Sequence, residues 1–223
     1  MEKSKEIESQ RFSDEVKLHV AIDIGLAFSA MMRLFEKDSK SRLHNKVHSE
    51  LPRIFHAKTK PGFERIHSEL CEWGTEEISL AKKKRNEQIG KQSKKASYGQ
   101  IAKTLDVVLK VVIYYSHFPD CRRAKELSKL LNAAMDRKMM ASLKKYVKGS
   151  NMSRKLPETV KSWPKNIEDV CDKETYDHVQ KTVREYKEDK CPNLLFPVQF
   201  EDYLWAKVNK KPWWKNLNLY MNC

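Results

Sequence analysis

The segment that most constrains the fold runs from Ser97 to Asp120, SYGQIAKTLDVVLKVVIYYSHFPD, and its apolar residues form an almost unbroken run. Lys103, Asp106 and Lys110 interrupt that run, so the segment does not fit a simple membrane span. Gly 6 and Pro 8 are low counts for 223 residues, and Asn-Gly and Asp-Gly hairpin signals are missing. We therefore predict a mainly α chain, folded as a single multi-helix, bundle-like globular domain with an aromatic-rich C-terminal tail.

Composition and charge divide the chain into four parts. We predict a flexible N-terminus at 1–12, a helical core at 13–149, a polar linker at 150–172, and a C-terminal helix with an aromatic tail at 173–223 that packs on the core. The core begins with a strong helix signal, because apolar residues recur there at steps of three and four. These residues are Val16, Val20, Ile24, Ala27 and Phe28.

The polar residues of the long apolar segment fall on one side of the expected helix. At about 100° per residue, Lys103, Asp106, Lys110 and His117 occupy a stripe roughly 60° wide, which we call the polar stripe. In one interpretation the helix is mostly buried and the stripe is its solvent-facing line. In the other interpretation the stripe faces a cleft, where these residues and Gln100 bind an anion such as phosphate.

This segment also resembles a known sequence pattern. YGQIAKTLDVVLK is similar to Y-G-Q-x-x-K-x-x-[N/D]-x-x-x-K, found in uncharacterised helical proteins of bacteria and their phages. The match is carried by Tyr98, Gly99, Gln100, Lys103, Asp106 and Lys110. Trp163, Tyr176 and a later FEDYLW, which ends at Trp205, follow in a similar order. The resemblance adds weight to the polar stripe and implies no particular activity.

The charge of the chain favours anionic partners. Lys and Arg number 44 against 30 Asp and Glu, a net charge of +14 at neutral pH. The segment KKKRNEQIGKQSKK holds seven basic residues and one acidic residue, and we predict an exposed helix end and loop that contacts nucleic-acid phosphates. A solvated surface without a partner fits the same charge run. The residues in question are Lys82, Lys83, Lys84, Arg85, Lys91, Lys94 and Lys95.

A second motif is the spacing R-x5-H, from Arg42 to His48 on an expected helix. It resembles the R-x(4-6)-H motif of HEPN-type ribonucleases, which are helical, basic, metal-independent and usually dimeric. The resemblance implies that Arg42 stabilises charge on the scissile phosphate while His48 moves a proton. Leu43 stands where that family favours a polar residue. A solvated helix face accounts for the same spacing.

Metal and cofactor sites are not indicated. The five cysteines form no C-x-x-C pair, and the seven histidines show no metal-ligand spacing with nearby acids, so we expect neither a metal nor a cofactor. Glycine-rich nucleotide-binding motifs are missing as well. The charged N-terminus has no apolar signal region, and dispersed cysteines fit free thiols. Together these features predict a cytoplasmic protein that does not enter a membrane.

Three classes of function fit these features. The first is a nucleic-acid-binding protein for RNA or DNA from a bacterial defence or mobile-element context, with HEPN-like RNA cleavage as its enzymatic form. The alternative is a non-catalytic interaction or regulatory module that binds a protein partner or forms a homodimer. The third is a small-molecule enzyme or nucleotide sensor built on the polar stripe. The basic-aromatic KVNKKPWWKN near the C-terminus suits base stacking or anchoring of the tail on the core.

Overall fold

The computed structural model describes residues 2–81, 95–149 and 163–211, and these ranges fold into eight α-helices in one domain. The described ranges hold no β-strand, only isolated bridges between Phe35 and Leu80 and between Ser79 and Lys95. The predicted mainly α class is therefore confirmed. The helices are α1 (Glu2–Phe28), α2 (Ser39–Phe55), α3 (Lys60–Glu77), α4 (Tyr98–Leu109), α5 (Cys121–Ser128), α6 (Arg137–Gly149), α7 (Lys173–Lys190) and α8 (Pro197–Val208).

Side-chain caps determine where the central helices begin. At the start of α4, Ser97 accepts a hydrogen bond from the Gln100 N–H at 3.3 Å, and Gln100 Oε1 accepts one from the Ser97 N–H at 2.9 Å. At the start of α5, Asp120 accepts from the Arg123 N–H at 2.9 Å. Such caps satisfy backbone donors that a helix leaves open. They therefore define the first residues of α4 and α5.

Helix α4 is the centre of the domain and packs against α1, α3 and α7. Its backbone comes close to that of its neighbours. A Cβ atom at Gly25 of α1 would lie 2.7 Å from the Val108 Cα, and a Cβ atom at Gly99 would lie 2.2 Å from the Ile167 carbonyl oxygen. Because neither position has room for a side chain, glycine allows α4 to be enclosed on both sides.

Helix α1 buries a different face from the one that the apolar spacing suggests. It begins at Glu2, earlier than the predicted start at Ser13. Its buried residues are Ala21, Ile22 and Leu26, whereas a second row of apolar residues faces outwards. Both rows follow helical spacing, so periodicity alone does not decide which one is buried. We call the exposed row, Phe12, Val16, Val20, Ile24 and Phe28, the α1 stripe.

The C-terminal half closes the other side of the domain. The long amphipathic stretch after Asp120 is a helix pair, α5 and α6, separated by the irregular segment 129–136. Helix α6 packs against α7 and α8. Most of the predicted linker, 150–162, and the aromatic tail at 212–223 lie outside the described residues. None of the described helices combines the length and apolar character that a membrane crossing needs.

Candidate functional site

Asp106 of the polar stripe lies in the interior of the domain. Its carboxylate accepts hydrogen bonds from the Tyr176 hydroxyl of α7 at 2.9 and 2.7 Å, and its Oδ1 lies 3.0 Å from His67 Nε2 of α3. Burial disfavours the charged imidazole, but the neighbouring Cys71 and Asp106 outweigh burial and raise the pKa of His67. A buried charged pair with one added hydroxyl therefore joins α3, α4 and α7.

Lys110 is buried as well and faces α8. Its ammonium donates to Glu201 Oε1 at 2.9 Å and to Asp202 Oδ1 at 2.5 Å, and the Tyr115 hydroxyl donates to the other Asp202 oxygen at 2.7 Å. Burial raises the pKa of Glu201 to about 7, although Lys110 and the Ala134 N–H favour its carboxylate. Glu201 and Asp202 belong to the FEDYLW segment, so the two parts of the pattern resemblance meet at this pair.

Lys103 and Gln100 keep polar atoms without partners. The half-buried Lys103 ammonium forms no hydrogen bond or ion pair with any described residue. Burial lowers the pKa of Lys103, against the opposing effects of Asp136, Glu201 and Asp106. Gln100 is buried and its Nε2 also lacks a partner within the described part of the chain. Of these two side chains only Lys103 is partly exposed, so its ammonium is the one that a ligand could reach.

His117 does not continue the polar stripe. The α-helix changes at Lys110 into a π-helix, Lys110–Tyr115, and the wider turn rotates later residues away from a projection at 100° per residue. His117 lies beyond the helix end, exposed and at φ 59°, where it lines an open groove of about 220 Å³ beside Cys121. The projected stripe is therefore wrong at His117, and a role for this residue in anion binding stays a prediction.

A further polar group surrounds Asn132 in the segment 129–136, and sequence reasoning missed it. The Lys60 ammonium donates to the Leu130 carbonyl at 2.6 Å and to Asn132 Oδ1 at 2.7 Å, and Arg184 donates to the same Oδ1 at 2.7 Å. Burial, followed by the nearby Arg184, lowers the pKa of Lys60 to about 7. These residues come from α3, a loop and α7, so no local motif could have identified the group.

Arg42 and His48 are held by different helices. Arg42 donates to the Glu77 carbonyl at 2.7 Å and pairs with the Glu77 carboxylate at the end of α3. His48 Nε2 lies 2.8 Å from Glu15 Oε1 of α1. The contacts draw the two side chains to separate neighbours, whereas the HEPN-type motif needs both at one phosphate. The ribonuclease hypothesis stays a prediction that these contacts do not support.

The basic segment expected to bind nucleic acid lies almost entirely outside the described residues. Lys82, Lys83, Lys84, Arg85, Lys91 and Lys94 fall within 82–94, so their role stays a prediction. Lys95 is described: it is exposed, and its backbone forms a bridge with Ser79.

Helix α6 carries a basic surface that the sequence analysis did not single out. Among its 13 residues are five cations and no acidic residue. At about 100° per residue the cations share a sector roughly 120° wide, on the side away from the buried Met139, Met140 and Leu143. The signal was present in RKMMASLKKYVK but appears only when the helix is projected. We call Arg137, Lys138, Lys144, Lys145 and Lys148 the α6 basic face.

The α6 basic face has no acidic partners among the described residues. Lys138 donates to the neutral Asn209 Oδ1 at 2.6 Å, and the other four side chains form no ion pair or hydrogen bond there. Arg53 of α2 shows the contrast, because Glu50 and Glu69 both pair with it. The charge of the α6 basic face is therefore not neutralised by any acidic side chain in the described part of the chain.

No family model, curated protein or solved structure matches the chain. Function is consequently inferred from the residues and their geometry.

Proposed function

We propose that the protein binds nucleic acid through contacts between the α6 basic face and backbone phosphates. The observation that carries the proposal is the row of five cations on one side of one helix that has no acidic residue. Lys and Arg side chains that meet phosphates release condensed counterions, and this release favours binding at low salt. The net charge of +14 adds long-range attraction for the same kind of partner.

The dimensions of the α6 basic face favour a polymer over a small anion. Arg137 and Lys148 are separated along the helix by about 16 Å at 1.5 Å per residue. Duplex DNA carries one charge per roughly 1.7 Å of its axis, so a row of this length meets several phosphates. A site for one phosphate would instead bring its cations to a single point.

Lys103 extends the proposed interface towards α4. Asp136 directly precedes α6, and its carboxylate, like those of Glu201 and Asp106, opposes the effect of burial on the pKa of Lys103. Asp106 and Lys110 are different, because their charges are taken up by interior partners. We therefore assign Lys103 to phosphate binding, and Asp106 and Lys110 to the stability of the domain.

A salt series with labelled nucleic acids tests the proposal. The full chain is titrated into labelled RNA and DNA, single-stranded and duplex, and binding is followed by fluorescence polarisation. We expect the logarithm of the affinity to fall linearly with the logarithm of the salt concentration, by about 0.9 per duplex phosphate contact and about 0.7 per single-strand contact. Lack of binding at low salt, or an affinity that does not change with salt, would contradict it.

The α1 stripe favours a second candidate, the interaction module. Phe12 and Phe28 are 74% and 73% exposed, and three more apolar residues lie between them along the same helix. Contiguous exposed apolar surface is typical of interfaces between proteins. We infer that a second copy of the chain covers the row, because α1 carries both acidic and basic residues beside it, such as Asp14 and Lys17, and so suits a two-fold contact.

Light scattering on the purified chain tests this second candidate. The parent is expected to have the mass of a dimer, and the double variant Val20→Gln and Ile24→Gln the mass of a monomer, because two polar side chains would then be buried in the contact. Leu195→Gln changes an apolar residue that is 67% exposed elsewhere and serves as the control. A monomeric parent at high concentration would contradict the dimer.

A further inference from the structure

Helices α1 and α2 bring histidines and carboxylates together in a cluster that the proposed function does not use. Glu15, His19 and Asp23 follow each other at steps of four on α1, and His44 and His48 do the same on α2. Residues four apart lie on the same side of a helix. The two sets meet because α1 packs against α2. The sequence analysis found no metal-ligand spacing because the ligands are divided between two helices.

Three ligand atoms of the cluster have the separations that a metal ion needs. Glu15 Oε1 lies 2.8 Å from His48 Nε2 and 3.5 Å from His19 Nε2, and all three atoms lie within 4.8 Å of one another. Tetrahedral ligands at about 2.05 Å from a metal are separated by about 3.3 Å. The His19 and His48 rings are stacked with their centroids 4.3 Å apart, so one ring must turn before both Nε2 atoms can face the same ion. The side chains of Glu15 and His19 are 54% and 45% exposed and so have room to move.

The hydrogen bonds behind His19 leave its Nε2 free to act as a ligand. His44 Nδ1 lies 3.1 Å from Asp23 Oδ1, and His44 Nε2 lies 2.7 Å from His19 Nδ1. When Asp23 accepts the His44 Nδ1–H, His44 Nε2 accepts the His19 Nδ1–H, and the lone pair of His19 Nε2 then points towards Glu15. Histidines that bind metals are held in this tautomer by just such a partner.

Asp23 is suited to the last position of this chain of hydrogen bonds. Burial alone would raise the pKa of Asp23, but hydrogen bonds from His44 and Lys40 outweigh burial and lower it. The carboxylate therefore stays ionised and keeps the imidazole protons oriented towards it.

We propose that Glu15, His19 and His48 bind a divalent transition-metal ion, Zn²⁺ foremost, and that His44 and Asp23 orient His19 from behind. Two imidazole nitrogens and one carboxylate oxygen suit Zn²⁺ and its neighbours, whereas Mg²⁺ and Ca²⁺ prefer oxygen ligands throughout. The ion would link α1 to α2, with a remaining coordination position open to solvent. His48 is then a metal ligand rather than a proton carrier of the R-x5-H kind.

Zinc titration of the full chain, with a chromophoric chelator as competitor, tests the site. The exposed Cys121 and Cys171, together with Cys223 at the C-terminus, are replaced by serine so that their thiols do not bind Zn²⁺. We expect one Zn²⁺ per chain, and no competition from a large excess of Mg²⁺. His19→Ala and His48→Ala should each weaken Zn²⁺ binding by at least about tenfold, and His44→Ala, which removes only support, by about tenfold.

His56→Ala is the matched control, because His56 lies outside the cluster with its Nδ1 2.6 Å from the Pro52 carbonyl oxygen. It should leave Zn²⁺ affinity unchanged. Circular dichroism shows that each variant is folded, and the visible spectrum of bound Co²⁺ reports a tetrahedral site in the parent that is lost in His48→Ala. The site is refuted if the parent binds no Zn²⁺, or if His19→Ala and His48→Ala bind it as tightly as the parent. Neither result depends on nucleic-acid binding.

Discussion

Replacing Arg137, Lys144, Lys145 and Lys148 together with glutamine is expected to weaken nucleic-acid binding at low salt by at least about 100-fold. In the proposed interface each of these residues contributes a phosphate contact and the counterion release that goes with it. Glutamine has nearly the helix propensity of lysine and arginine and no charge, so α6 should keep its fold. Lys138 is left in place because its ammonium already donates to Asn209. Fluorescence polarisation with the same labelled RNA and DNA measures the loss.

A matched variant separates the position of the charges from their number. It replaces four exposed cations outside α6, each of which already pairs with a carboxylate, and so lowers the net charge by the same amount. These cations are Lys17, Arg53, Lys173 and Lys190. The affinity of this variant for nucleic acid should stay within a few-fold of the parent's affinity. Equal losses in the two variants would show that net charge alone attracts nucleic acid, and the assignment to α6 would be wrong.

Asp106→Ala is expected to lower the free energy of unfolding by about 3–5 kcal/mol, because it removes one member of a buried charged pair. His67 and the Tyr176 hydroxyl would be left in the interior without the carboxylate that now accepts from both. Asp106→Asn keeps a hydrogen-bond acceptor and should lower the free energy of unfolding by less than Asp106→Ala does. Urea unfolding followed by circular dichroism measures both variants.

The loss of unfolding free energy in Asp106→Ala should also depend on pH, and this dependence is a second readout. The pKa of His67 is raised from 6.5 in the folded chain, so its stabilising contribution is complete below about pH 6.5 and declines as the pH rises above that value. The cost should therefore be larger at about pH 6 than at about pH 9.

Asp177→Ala breaks an exposed pair with Lys173 and should cost no more than about 1 kcal/mol. Equal costs for Asp106→Ala and Asp177→Ala would mean that the buried pair is not formed.

The fold class and the importance of α4 could be predicted because both depend on local patterns. Low glycine and proline content and apolar spacing of three and four residues suffice to predict helices. A narrow line of charges on an apolar helix indicates special surroundings, and Asp106 and Lys110 do lie among interior partners. Those partners, His67 and Glu201 among them, are distant in sequence, and one sequence does not indicate which helices meet.

A helical projection at a constant angle per residue could not predict three features. The π-helix at Lys110–Tyr115 changes the angle per residue, and this moves His117 off the polar stripe. Helix α1 has two apolar rows, and which one is buried depends on close packing at Gly25 rather than on periodicity. The histidine cluster is divided between helices, so its spacing is regular only within each half. The α6 basic face is different, because its five cations lie within one helix and a projection of RKMMASLKKYVK brings them together.

The salt dependence of RNA binding, compared between the parent and the variant with four glutamines in α6, tests the proposed interface most directly. For single-stranded RNA the slope of the logarithmic affinity against the logarithm of salt should become shallower by about 3, since each lost contact removes about 0.7. Weaker binding with an unchanged slope would contradict the interface, because it would mean that the substituted side chains do not contact phosphates.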